Sequence, residues 1–316
     1  MDSDSRHSLY WPPLRSGDVV RIVSPASFPD EANVEDLRSQ LESWGLKVEL
    51  GAHVYDQWGY MAGTDSERLE DLHAAFRDPA VRAVVGSRGG AGAYRIADSI
   101  DFAAVRRDPK PVVGVSDITY LQMALWRECR LVSIHGACLG LEGVTSARQL
   151  LMSDAPVVAY RDPRAYSAAI QVEGRAKGPL LGGNLTSVAH MVGAGLPPLA
   201  GAILLLEDTR DMGLGRVDRQ LTQLKRSGAL DRLAGVALGL FSGFDDYVDR
   251  SWSLLDVLHD HLSQLNIPVL GGFKIGHNGI AADGGPDQTC VAIGAPATLD
   301  TSTGTLTSGG RRADAE

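Results

Sequence analysis

Cysteine is scarce: Cys129, Cys138 and Cys290 are the three in a chain of 316 residues. They are too few and too scattered for a disulfide framework or a four-thiolate zinc site, and they point to a reducing compartment. Long apolar runs are missing as well. The longest, about Ala202–Leu206, falls far short of the ~18 residues that a membrane-spanning helix needs. The opening MDSDSRHSLYWPPLRSGD carries no apolar stretch of the secretory type, so a cytoplasmic protein with no membrane partner is expected. Positive charge is in deficit, with 30 Lys+Arg against 39 Asp+Glu and a net charge of -9. Such a surface repels phosphate backbones, and no Lys/Arg-rich run counters it, which argues against nucleic acid as a partner. The remaining composition, 44% hydrophobic and 22% charged, excludes disordered and fibrous classes. The length suits about two domains of roughly 150 residues each.

The first half alternates strand and helix signals. Asp18–Ser24 is a β-branched run closed by Pro25, and Val34, Leu37, Leu41 and Trp44 then fall at helical spacing before Gly45. Thr64 and Glu67 form a capping-box pattern ahead of Leu69, Leu72 and Phe76. Val81–Val85 runs into the Gly-rich SRGGAGAY, and Pro111–Val115 leads directly into a helical pattern at Ile118, Leu121 and Leu125. Strands alternating with helices of this length predict βαβ units and a mostly parallel sheet over residues 1–153. Residues 154–177 read as a connector without sustained period. Residues 178–316 read as a β-rich second domain, with apolar runs at Ala202–Leu206, Val236–Phe241, Pro268–Phe273 and Cys290–Ile293. One helix with Val217, Leu221 and Leu224 on a face interrupts it, the LDTSTGTLT hairpin closes it, and the final SGGRRADAE reads as a frayed tail.

Three places carry candidate chemistry. Ser116 sits between an apolar strand and a helix, where its Oγ would stand at the sheet edge and the Asp117 N–H would face a developing oxyanion; a simple helix cap is the competing reading. The loop Ser87–Gly92 follows a strand end, and its N–H groups suit an anion, although its spacing is neither a dinucleotide fingerprint nor a phosphate-binding P-loop. His135 and His277 each adjoin glycine after an apolar strand, and Glu207-Asp208 ends another; such strand-end loops collect functional side chains. His259 and His261 have no further ligands nearby and do not make a metal motif.

Taken together and in order, AGTDSERLEDL (62–72), SRGGAGAYR (87–95), GVSDIT (114–119), IHG (134–136), GPLLGGNL (178–185), LLLED (204–208), VDRQLTQLKRSGAL (217–230) and PVLGGFKIGH (268–277) resemble the blocks of the LD-carboxypeptidase family. That family comprises muramoyl-tetrapeptide carboxypeptidases and microcin-C self-immunity relatives, and the resemblance covers roughly residues 15–308. It implies an α/β N-terminal domain, a β-rich C-terminal domain and an active site between them. It also implies a Ser–His–Glu triad without metal or cofactor: Ser116 as nucleophile, Glu207 as orienting acid, His277 as base. The N–H of Asp117 and that of Gly89 or Gly90 would form the oxyanion hole. An enzyme of this kind must hold a free carboxylate, for which Arg88 is the candidate, with capping of a local carbonyl as its competing reading.

The implied reaction is hydrolysis of the L,D-bond to a C-terminal D-alanine in a murein tetrapeptide, by a homodimer. Cleavage of an aminoacyl-nucleotide antibiotic is the enzymatic alternative. A non-catalytic binder of small peptides or sugars is the alternative outside enzymes. Val115, Ala91 and Ala137 depart from the commonest family pattern, as does the segment 281–294, and these changes fall on positions that line a pocket.

Overall fold

The computed structural model of the protein describes residues 8–138, 140–277 and 287–310. His7, residues 281–286 of the departing segment and the tail beyond Gly310 lie outside them. The first half is built on strands β1 (Val19–Val23), β2 (Lys47–Leu50), β3 (Val81–Gly86), β4 (Val112–Gly114) and β5 (Ser133–His135). Helices α1 (Glu31–Ser43), α2 (Asp65–Arg77), α3 (Ala93–Ile96), α4 (Phe102–Arg107), α5 (Thr119–Cys129) and α6 (Gly140–Met152) alternate with or follow them. The β1–β5 pairings are all parallel. β3 and β4 read as continuous apolar runs because helices cover both faces of such a sheet. The Thr64–Glu67 capping box is present at the start of α2, with both reciprocal bonds made.

The second half contains β6 (Val157–Tyr160), β7 (Gln171–Val172), β8 (Arg175–Asn184), α7 (Leu185–His190), β9 (Ile203–Thr209), α8 (Leu214–Arg226) and β10 (Gly235–Ser242). It continues with the small pair β11 (Val248–Asp249) and β12 (Trp252–Ser253), then α9 (Leu254–Leu262), β13 (Val269–Gly271), β14 (Val291–Ile293), β15 (Pro296–Asp300) and β16 (Thr305–Ser308). Eight strands form its sheet in the order β6-β16-β15-β8-β9-β10-β13-β7. The inner four, β8-β9-β10-β13, are parallel. The stretch read as a connector supplies both edges of this sheet, β6 beside β16 and β7 beside β13. Ser308, assigned above to a frayed tail, pairs with Val157. The expected hairpin joins β15 to β16.

The halves are not independent packing units. β14 crosses back to lie antiparallel on β5 and completes the six-strand order β14-β5-β4-β3-β1-β2. One apolar core runs from Leu72, Phe76 and Val84 through α5 to Leu180, Leu204 and Val236 of the second sheet. Helix α5 is the wedge: Thr119–Trp126 are all buried. A second core, with Val20, Ile22, Leu41 and Leu150, fills the opposite face of the first sheet. Continuous packing of this kind resists relative displacement of the halves, so residues carried by either sheet are held in fixed register.

Candidate active site

The carboxyl ends of the parallel strands in both sheets open onto one cavity of about 1490 Å³. In open α/β sheets this edge is where ligands bind. From the first half come Ser87–Ala91 after β3, Ser116 and Asp117 after β4, and Gly136–Cys138 after β5. Across from them lie Asn184 at the end of β8, Thr186 of α7, Asp208 and Thr209 of β9, Arg216 of α8 and His277 after β13.

Ser116 has a φ of +65°, a left-handed conformation that costs an L-residue roughly 1–2 kcal/mol. The helix does not start as α directly after β4: one turn of 3-10 helix, Ser116–Ile118, precedes α5. Val115, not Ser116, is the N-cap of that turn, and no side chain caps it, so the serine is not spent on capping. A strained, partly exposed serine on a strand-to-helix turn is the geometry of a nucleophile elbow. Gly89 packs against it so closely that a Cβ there would stand 2.5 Å from Ser116 Cβ and 3.0 Å from its Oγ. Among the described residues the Gly89 and Gly90 amides have no hydrogen-bond partner. The loop is fixed by Ser27, whose N–H donates to Gly89 O at 3.3 Å and whose Oγ accepts from Ala91 N at 3.1 Å. Asp117 fixes it from below: its carboxylate accepts from Ala93 N at 2.7 Å. Burial pushes that carboxyl up to about 6, against the pull of the amide and of the buried Arg68.

His277 and Glu207 meet directly. Nδ1–H of His277 donates to Glu207 Oε2 at 2.6 Å, and the His277 backbone N–H donates to the same oxygen at 3.3 Å. Gly276, at a φ of +105°, permits this approach, since a Cβ would run into Oε2. Ser242 Oγ–H, on β10, donates to His277 O at 2.5 Å and anchors the loop from the other side. Glu207 is fully buried, which alone would raise its pKa, but His277 and His135 hold it down at about 2. For His277 the desolvation that favours the neutral ring is outweighed by Glu207, and the pKa rises above 6.5.

Glu207 and Asp208 differ in orientation, and Glu207 is the one that meets His277. Alternation along β9 turns Asp208 to the other face, where it accepts from Asn184 Nδ2 at 3.1 Å, Thr186 Oγ1 at 2.7 Å and Thr209 N at 2.8 Å. Arg88 is exposed at the cavity wall, with Nη1 donating to Phe28 O at 3.3 Å. Sequence reasoning passed over several other walls of the cavity: Tyr94, Tyr120, Thr186, Arg127 and Arg216. Arg127 is paired with Asp98 and Glu128, and Arg216 with Asp211 and Thr186. The order of apolar and polar residues gave no hint that α5 and α8 faced the same space; the GGNL block beside Thr186 was the nearest signal. His53, Asp56 and Glu67 are the one group among the described residues close enough to share a cation, and none of the three lines the cavity.

The sequence matches the LD-carboxypeptidase N-terminal domain over residues 20–136 and the LD-carboxypeptidase C-terminal domain over residues 177–299. The chain belongs to the LD-carboxypeptidase family. It is therefore a hydrolase of the carboxypeptidase type, with the α/β-plus-β-rich layout that the resemblance implied. It is 36% identical over 307 residues to a probable murein peptide carboxypeptidase of Bacillus subtilis, covering 93% of each chain. It is 33% identical over 280 residues to the murein tetrapeptide carboxypeptidase of Pseudomonas aeruginosa, covering 84% of this chain and 90% of that one. The solved muramoyltetrapeptide carboxypeptidase of Oxalobacter formigenes superposes with a TM-score of 0.78 at 27% identity, covering 92% of this chain and 97% of that one.

Proposed function

We propose that the protein is a serine carboxypeptidase that removes a C-terminal D-amino acid, with a murein tetrapeptide as substrate and D-alanine as product. The observation that carries this reading is a strained serine sharing a cavity with a histidine whose Nδ1 is held by a buried carboxylate at 2.6 Å. A serine hydroxyl is a weak nucleophile, so Ser116 needs a base to take its proton as it attacks the carbonyl carbon. With Nδ1 committed to Glu207, Nε2 of His277 is the ring nitrogen left for that task. Glu207 fixes the tautomer and stabilises the imidazolium that forms. The carbonyl oxygen, turned oxyanion, is met by the N–H of Asp117 and that of Gly89 or Gly90, donors held in place before reaction. His277 then returns its proton to the leaving amine of the D-amino acid. Water, activated by the same imidazole, hydrolyses the acyl-enzyme and regenerates Ser116.

Recognition of a C-terminal residue requires a cation for the free carboxylate. Arg88 fills this role in the proposal: it is exposed at the cavity wall, and among the described residues its side chain bonds only Phe28 O, which leaves donors of the guanidinium fork for a ligand. No helix among the described residues is long and apolar enough to cross a membrane. The proposed setting is the cytoplasm, and the proposed assembly is a homodimer, which light scattering on the purified chain would test.

The deciding experiment incubates the enzyme with a diaminopimelate-containing tetrapeptide and follows D-alanine by mass spectrometry. Release by the wild type, lost in Ser116→Ala and in His277→Ala at unchanged melting temperature, supports the proposal. Cleavage of an aminoacyl-sulfamoyl nucleoside but not of the tetrapeptide would replace the substrate. Binding of either without turnover would show that neither is the substrate.

A further inference from the structure

Glu207 uses only one of its two oxygens on His277. The other, Oε1, is fully buried without a hydrogen-bond partner, and so is the Nε2 of His135. These two orphaned atoms face each other at 3.5 Å. Space for the His135 ring is made by Gly183 of the GGNL block, where a Cβ would come within 2.9 Å of its Cε1 at a φ of +137°. The ring is therefore built into the site from three elements: β5, β8 and β9.

The protonation of that ring follows from Gln122 on α5. Its Nε2 donates to Gly114 O at 3.0 Å and to Ile134 O at 2.9 Å. Both partners are carbonyls that can only accept, so the amide cannot be turned around, and Gln122 Oε1 must be the atom facing His135 Nδ1 at 3.3 Å. Nδ1 consequently carries a proton. A neutral ring would then point the Nε2 lone pair at a carboxylate oxygen 3.5 Å away. The opposite neutral tautomer would set two acceptors against each other at Gln122. A ring with protons on both nitrogens places a donor against Gln122 Oε1 and a positive charge 3.5 Å from Glu207 Oε1.

We propose that His135 is a positioning residue of the site, a buried imidazolium that ties down the free oxygen of Glu207 and offsets its charge. This rests on, and deepens, the Ser116–His277–Glu207 reading. The charge of the buried carboxylate favours the protonated form of His277, the form that cannot accept the serine proton. A carboxylate shared with a second cation orients His277 while drawing less strongly on its proton. The other groups around the pair do not replace His135: Asp208 is the remaining acid near His277 and is engaged by Asn184 and Thr186, while Gln122 and the neighbouring Thr119 on α5 are neutral.

Nitrogen NMR of histidine-labelled full-length protein at neutral pH, without substrate, tests this directly. The proposal expects two ring N–H protons on His135 and a single exchanging one on His277. A His135 ring with one N–H overturns it, including the case in which the proton resides on Glu207. The second arm compares His135→Gln, whose side-chain N–H can still reach Glu207 but carries no charge, with His135→Leu. In both, the titration of His277 followed by NMR moves up by about one pH unit or more, as expected for removing a charge at this range. The acid limb of kcat/KM moves with it, and the high-pH kcat falls further for Leu than for Gln. An unmoved His277 titration in His135→Gln overturns the proposal. Should neither variant fold, the wild-type nitrogen spectrum decides. Because that spectrum needs no turnover, failure to cleave tetrapeptide would count against the function and not against the assignment of His135.

Discussion

Gly89→Ala isolates the contact between the Gly-rich loop and the serine. Gly89 does not sit in the left-handed region, so alanine can adopt its backbone and the effect is purely steric. The added methyl would lie 2.5 Å from Ser116 Cβ, 2.9 Å from Val115 O and 3.0 Å from Ser116 Oγ. Carbon atoms in comfortable contact stay ~3.5–4.0 Å apart, so the loop and the serine turn must separate by about 1 Å. Overpacking of this size costs about 1–3 kcal/mol, which a chain with two continuous cores tolerates. A displacement of ~1 Å between reacting groups costs on the order of 10²-fold in rate. The variant is expected to melt a few degrees below wild type, to bind tetrapeptide with near-normal affinity and to lose about 10²-fold in kcat for D-alanine release. A folded Gly89→Ala protein with kcat within about two-fold of wild type would refute the reasoning, because the loop could not then abut the nucleophile.

Ser116→Gly and Ser116→Ala both remove the hydroxyl, but only glycine relieves the backbone at φ +65°. Glycine is expected to melt higher than alanine by roughly 0.5–1 kcal/mol after its greater unfolded-state entropy is counted; equal melts would show that the turn is not strained. Glu207→Gln leaves His277 without its orienting anion and is expected to lower kcat by on the order of 10³–10⁴, measured under saturating tetrapeptide. Since His277 is raised above 6.5 and must be neutral to act, kcat/KM should climb with pH through a value above 6.5; a profile already flat below that pH would contradict the assignment. The same shift has a stability counterpart: the contribution of His277 is full below its unfolded value of 6.5 and fades as pH passes the raised folded one, while that of Glu207 is lost as pH falls from 4.5 toward about 2. Asp117, at about 6 against 3.8 unfolded, works in the opposite sense from a salt-bridged carboxylate: ionising it above that pH destabilises the fold. Asp117→Asn is expected to gain up to about 3 kcal/mol over wild type at neutral pH, with the gap closing as pH falls toward ~4 in urea melts; a gap independent of pH would show that the carboxylate is not desolvated.

Much of this arrangement can be read from the chain because local rules and global fold agree. The capping box at Thr64 starts a helix, the apolar run at Val81–Val85 is a doubly buried strand, and the Ser116 turn falls between strand and helix. The less legible parts depend on partners distant in sequence. β6 and β7 are short edge strands whose alternation is too brief to stand out from a connector. β14 returns to the first sheet because Val291, Ala292 and Ile293 find an open edge on β5, which no local pattern announces. Glu207 and Asp208 are equivalent as letters; only the pleat of β9 turns one toward His277 and the other toward Thr186. His135 stood out by its place after a strand, but its link to Glu207 required Gly183 and Gln122 to be seen around it.

The central claim is that Ser116 is made nucleophilic by His277. Reaction with a fluorophosphonate, read by intact-mass and peptide mass spectrometry, tests it most directly. The account predicts one adduct per chain, located on Ser116 and lost in His277→Ala although the serine is still present. Labelling at another residue, or undiminished labelling of Ser116 without His277, would contradict it.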